Sequence, residues 1–90
     1  MRVALICTDT PGALEVRKAN RADHLAYIER TGVVEMAGPL LNAAGEMAGS
    51  LVILEVETLE AAQDWAKDDP YAAAGLFSDV RIQAWNKVIG

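Results

Sequence analysis

Arg17, Arg21 and His24 stand four and three positions apart, so on one continuous helix they share a face and gather charge and a titratable ring on it. Guanidinium groups hold anionic oxygens by charge-assisted hydrogen bonds, and imidazole carries protons near neutral pH. The same spacing also suits a solvated helix face with a surface histidine, and spacing alone leaves both readings open. A second cluster is Asp68-Asp69-Pro70-Tyr71. It follows a helical stripe, and a carboxylate at a helix C-terminus opposes the dipole unless a cation or ligand offsets it. Asp69 either caps the turn made by Pro70, as Asp-Pro sequences do, or belongs to a site.

Other chemistries find less support. Gly38-Pro39 and Gly49-Ser50 match neither a phosphate loop nor a dinucleotide fingerprint, and Ser50 lacks the context of a nucleophile elbow. One histidine without clustered cysteines or paired carboxylates argues against a catalytic metal, and no cofactor pattern stands out. Tyr27, Trp65, Tyr71 and Trp85 read as core or interface aromatics. Cys7 is the only cysteine and sits in an apolar run, which excludes an internal disulfide and suggests a buried thiol in a reducing compartment.

The elements that position these residues follow from pattern and punctuation. Val3 to Cys7 reads as a buried strand closed by the turn formers Asp9-Thr10-Pro11-Gly12. Its apolar run is too short to export or to span a membrane. Ala13 to Thr31 has no proline or interior glycine and reads as helical, with Leu14, Leu25 and Ile28 as apolar contacts and a possible break at Asn20, which would cap the second half. Gly32 suits a helix C′ position, Val33 to Gly38 a strand stopped at Pro39, and Leu40 to Glu46 a loop. Leu51 to Glu57 is dense in β-branched residues and reads as a strand. Thr58 caps a helix with Leu59, Ala62, Trp65 and Ala66 on one stripe, ended by Pro70. Val80, Ile82 and Ala84 then alternate with Arg81, Gln83 and Trp85 in a last strand.

The order is βαββαβ, an α+β class, and its split βαβ arrangement gives a four-stranded antiparallel sheet with both helices on one face. Residues 1–90 form one domain, with no repeat or linker. Helices sharing one face allow His24 and Asp69 to meet. The opposite face carries Trp85 with Arg81, Gln83 and Lys87, and a small domain with a half-bare sheet suggests a homodimer packed through its sheets. A formal charge of −5 repels nucleic acid and anionic lipid, so neither is an expected partner, and the chain reads as cytoplasmic.

In sequence, Arg17 and Arg21 before His24-Leu25, then Ala37-Gly38-Pro39, Gly49-Ser50, Leu59 to Ala66, Asp69-Pro70-Tyr71 and Ala74-Gly75 resemble the YCII-related family over nearly the whole chain. The resemblance implies a ferredoxin-like dimeric α/β barrel with a cleft where His24 and Asp69 lie together. In one branch the pair is similar to that of a dehydrochlorinase acting on chlorinated hydroxyhydroquinones, which would make His24 a proton-transfer residue and Asp69 its orienting partner. Arg17, Arg21, Ser50 and Tyr71 would bind a small polar or aromatic substrate. Leu40 to Ala48 is shorter than the corresponding loop of the enterobacterial members. The function expected is a metal-free lyase or proton-transfer catalyst without a cofactor; the alternative is a non-catalytic ligand-binding or accessory dimer module.

Overall fold

Val3, Leu5 and Cys7 alternate along strand β1 (Arg2–Asp9), which puts three apolar side chains on one face of the sheet. In the computed structural model, which describes Met1–Gly90, this strand is central. The chain continues through helix α1 (Leu14–Thr31), strands β2 (Val34–Leu41) and β3 (Met47–Glu55), helix α2 (Leu59–Asp68), a single turn α3 (Pro70–Ala73) and strand β4 (Phe77–Trp85). The strands lie in the order β2-β3-β1-β4, every neighbouring pair antiparallel. This is the βαββαβ, ferredoxin-like arrangement.

One side of the sheet supplies Val3, Leu5, Cys7, Val52 and Leu54 to a core closed by Tyr27 of α1 and by Ala62 and Trp65 of α2. Trp65 is fixed twice. Its ring lies 4.9 Å from that of Tyr27, and its indole N–H donates to Thr31 Oγ1 at 2.9 Å. The Tyr27 hydroxyl donates in turn to the Trp65 carbonyl at 2.8 Å, so the polar atoms of both buried aromatics are satisfied. Gly49 brings β3 against β1 so closely that a Cβ there would overlap the Cys7 carbonyl.

The helix ends follow the capping residues. Thr58 Oγ1 accepts from the Ala61 N–H at 3.0 Å and starts α2. Gly32 ends α1 in the left-handed region at φ 65°, its N–H donating to the Ile28 carbonyl at 3.2 Å.

The sequence expectation differs from the structure in the bounds of two strands, β3 starting at Met47 rather than Leu51 and ending at Glu55, and β4 starting at Phe77 rather than Val80. It differs at three further places. Helix α1 is continuous through Asn20, whose side chain donates to the Val16 carbonyl one turn back at 2.9 Å rather than capping a new start. Strand β2 runs past Pro39 to Leu41, because β2 lies at the sheet edge, where a missing N–H is tolerated. Leu25 is 48% exposed, and the buried residues of α1 are Arg17, His24 and Tyr27. This helix turns a polar stripe inward.

The other sheet face has no helix over it. Register places Arg81, Gln83 and Trp85 opposite Ile6, Ala4 and Arg2, and the exposed side chains there include Met36, Leu40, Leu51 and Trp85. Glu35 accepts from Arg2 Nε at 2.8 Å and has Lys87 Nζ at 3.9 Å. No helix is long and apolar enough to cross a membrane.

Candidate active site

The inward polar stripe of α1 meets the start of α3 and the middle of β3. Asp69 ends α2 in an extended conformation and is at once the N-cap of α3, with Pro70 in the first turn. Its Oδ1 accepts from the Tyr71 N–H at 3.0 Å and faces His24 Nδ1 at 2.7 Å. Capping and site geometry are therefore one arrangement rather than alternatives. An ionised carboxylate only accepts, so against it His24 Nδ1 is the nitrogen that donates. Nε2 has no partner in the protein, and His24 lines a cavity of about 130 Å³.

Tyr71 forms the back of this cavity. Its ring stacks on the His24 imidazole with centroids 3.9 Å apart and planes 16° from parallel, while Phe77 meets it edge-on at 6.0 Å. The stack and the carboxylate together leave the imidazole one orientation. Burial raises the Tyr71 hydroxyl above its ordinary value, against the opposing pull of Arg17 and Arg21.

Arg17 is 3% exposed and held at three points. Its Nε donates to Asp9 Oδ2 at 2.7 Å, and its Nη2 donates to Asp9 Oδ1 at 2.8 Å and to Ser50 Oγ at 2.9 Å. The guanidinium carbon lies 4.7 Å from the Tyr71 ring centre. Burial works to lower its pKa, but the hydrogen bond and charge of Asp9 outweigh that, so the group stays charged. Arg21 lies one turn further along α1, exposed at the mouth of the cavity and without an ion-pair partner. Leu25, Ile28, Pro39 and Val52 supply apolar wall.

The structure thus brings His24, Arg17, Arg21, Ser50 and Tyr71 around one cavity, while Asp69 does not line it and stands behind His24. Ser50 is engaged as the acceptor of Arg17. No three His, Cys, Asp or Glu side chains converge in a way that would hold a metal ion. Cys7 is buried beneath the site; burial first, then the negative charge of Asp69, pushes its thiol up to about 12, so it remains protonated.

Asp9 is the residue of this group that sequence reasoning missed. It stood among turn formers, yet it continues the alternation of Val3, Leu5 and Cys7, which places its side chain on the helix-covered face. A charged residue in phase with a buried face was the available signal.

The cavity volume limits what it can take. At about 130 Å³ and open at its mouth, the cavity is of the same order as the closed apolar cavity of about 150 Å³ that accommodates benzene, which limits it to a small molecule. The lining offers a small ligand an imidazole, one buried cation, one exposed cation and an apolar wall.

Known proteins share this architecture. A dehydrochlorinase for 5-chloro-2-hydroxyhydroquinone from Burkholderia phenoliruptrix, solved with 2,5-dihydroxybenzoquinone, superposes with a TM-score of 0.88 at 34% identity over 96% of this chain and 94% of its own. An antibiotic biosynthesis monooxygenase superposes with a TM-score of 0.61 at 8% identity, a likeness of fold alone. Protein YciI of Escherichia coli O6:H1 is 39% identical over 98 residues, and an uncharacterised protein of Haemophilus influenzae 35% identical over 100; each alignment takes in 98% of this chain and 99% of the relative. The YCII-related domain matches residues 1–86. The chain belongs to the YCII-related family.

Proposed function

We propose that the chain is a small-molecule enzyme that moves a proton on a hydroxylated single-ring substrate, as a lyase of the dehydrochlorinase kind. The observation that carries this is His24 Nδ1 at 2.7 Å from buried Asp69, which leaves Nε2 as a base on the cavity. Nε2 takes the proton of a ring hydroxyl, and Asp69 stabilises the imidazolium that results. Arg17 holds the oxyanion that develops, and Arg21 draws an anionic substrate toward the mouth of an otherwise acidic protein. The imidazolium returns that proton to the ring carbon that bears chlorine, giving a keto tautomer. Loss of a second hydroxyl proton to Nε2 then expels chloride with the C–Cl electron pair and leaves a hydroxyquinone, so that HCl is lost overall and no oxidant is needed. The 34% identical dehydrochlorinase supports this substrate class.

The test is incubation with 5-chloro-2-hydroxyhydroquinone while chloride release is followed, together with calorimetric titration of 2,5-dihydroxybenzoquinone. Turnover confirms a lyase. Tight binding without turnover would make the chain a ligand-binding module, and failure of both would remove the reading.

The assembly proposed with this function is a homodimer packed through the open sheet face. Met36, Leu40, Leu51 and Trp85 are each at least 39% exposed on that face, an apolar area that a second copy would cover. Sedimentation at micromolar concentration should give twice the 9.6 kDa chain mass, and a single species at that mass itself would refute it.

A further inference from the structure

We infer that Asp9 is a positioning residue for Arg17: it aims the guanidinium so that Nη1 faces the cavity, and so sets the affinity of the site for an anionic oxygen. The inference rests on the reading above, in which Arg17 holds a substrate oxyanion.

Three of the five N–H groups of Arg17 are committed, two to Asp9 and one to Ser50. Nη1 makes no hydrogen bond of ordinary geometry within the protein, although the Tyr71 hydroxyl lies close enough to the guanidinium for each to shift the other's titration. Every fully buried side-chain nitrogen here has a hydrogen-bond partner, so Nη1 is not sealed in and opens on the cavity that Arg17 lines. The bidentate fork fixes the plane of the guanidinium as well as its place, which a single contact would not do.

Asp9 is itself fastened independently of α1. Strand β4 bulges at Ser78, where pairing passes from Thr8 with Asp79 to Asp9 with Phe77. The Ser78 hydroxyl lies 3.2 Å from the Thr8 carbonyl and 3.4 Å from that of Asp9, and the Thr10 N–H donates to the Leu76 carbonyl at 2.7 Å. Backbone on both sides of Asp9 is therefore tied to β4, and bulges of this kind recur beside active sites, where they re-aim a side chain. Net stabilisation is a weak reason for such a pair, because taking two charges out of water offsets much of their attraction.

Charge alone and positioning predict opposite signs. Removing the negative charge of Asp9 would make the cavity more positive and tighten anion binding. Releasing Arg17 would misplace its donors and weaken it. In calorimetric titrations at neutral pH, 2,5-dihydroxybenzoquinone serves as the anionic probe, because its hydroxyls are vinylogous acids, and hydroquinone as the neutral one. Asp9→Asn should bind the anion more weakly by on the order of a hundredfold, the effect of a misplacement of about 1 Å, with hydroquinone affinity little changed. General loosening of the fold would weaken both probes alike, and that result counts against the inference. Equal or tighter anion binding by folded Asp9→Asn overturns it while leaving the function intact. Absence of anion binding by the unmodified protein removes the oxyanion role of Arg17 itself. Should Asp9→Asn fail to fold, Asp9→Glu keeps the charge but displaces the fork by one methylene and is expected to show the same selective loss; unaltered affinity there overturns the inference equally.

Discussion

His24→Ala should lower kcat on a chlorinated hydroxyhydroquinone by roughly a hundredfold to ten-thousandfold, the usual contribution of a positioned acid or base. Asp69→Asn should fall in the same range for a different reason. The amide still offers an oxygen to the Tyr71 N–H, so α3 stays capped and the melting temperature moves little. What is lost is the charge that holds the proton on Nδ1 and stabilises the imidazolium. Because the two residues form one device, the double variant should be little worse than the poorer single one. Losses that multiply across the cycle would show that His24 and Asp69 act separately, and the proton-transfer reading would then lack its centre.

Raising the pH from 9 toward 12 should destabilise the protein steeply. Burial moves the Cys7 thiol from 9.0 up to about 12, and it also raises Tyr27 and Tyr71 above 10.0. These groups stay protonated in the folded chain while the unfolded chain ionises them. Their contribution is complete below the unfolded pKa and is lost as pH rises through the folded one. For one group the slope is about 1.4 kcal/mol per pH unit between those limits. Thermal melts of Cys7→Ala should therefore fall less steeply than those of the unmodified protein above pH 9. Parallel curves would show that the thiol is not held neutral by its surroundings.

Strands with plain alternation and helices with capping residues were legible from residue order. Thr58 with the stripe Leu59, Ala62, Trp65 located the start of α2 to the residue, and Gly32 located the end of α1. Helix α1 was harder because its inward face carries Arg17 and His24, so the hydrophobic pattern that marks a buried face is missing where the site lies. Pro39 misled for another reason: a proline forbids a central strand but not an edge, and sheet order is a tertiary fact that the local sequence does not encode. The candidate site was legible as types and spacing on either side. That Asp69 serves as cap and as partner of His24 depends on where α3 starts against α1, and the fork between Asp9 and Arg17 depends on β1 ending beneath the same helix.

The central place of β1 carries a cost in time. Its two neighbours are β3 and β4, and its first paired residue, Arg2, meets Trp85 in the last strand. During synthesis one edge of β1 therefore waits until nearly all the chain has been made, and the Val3-Leu5-Cys7 face waits for α2 to be completed over it. Closing loops that long before they are rewarded slows folding, and an unpaired apolar strand is open to wrong partners meanwhile. Sheet order, rather than any weakness in the finished core, thus sets the interval in which this small protein depends on its surroundings to stay unaggregated.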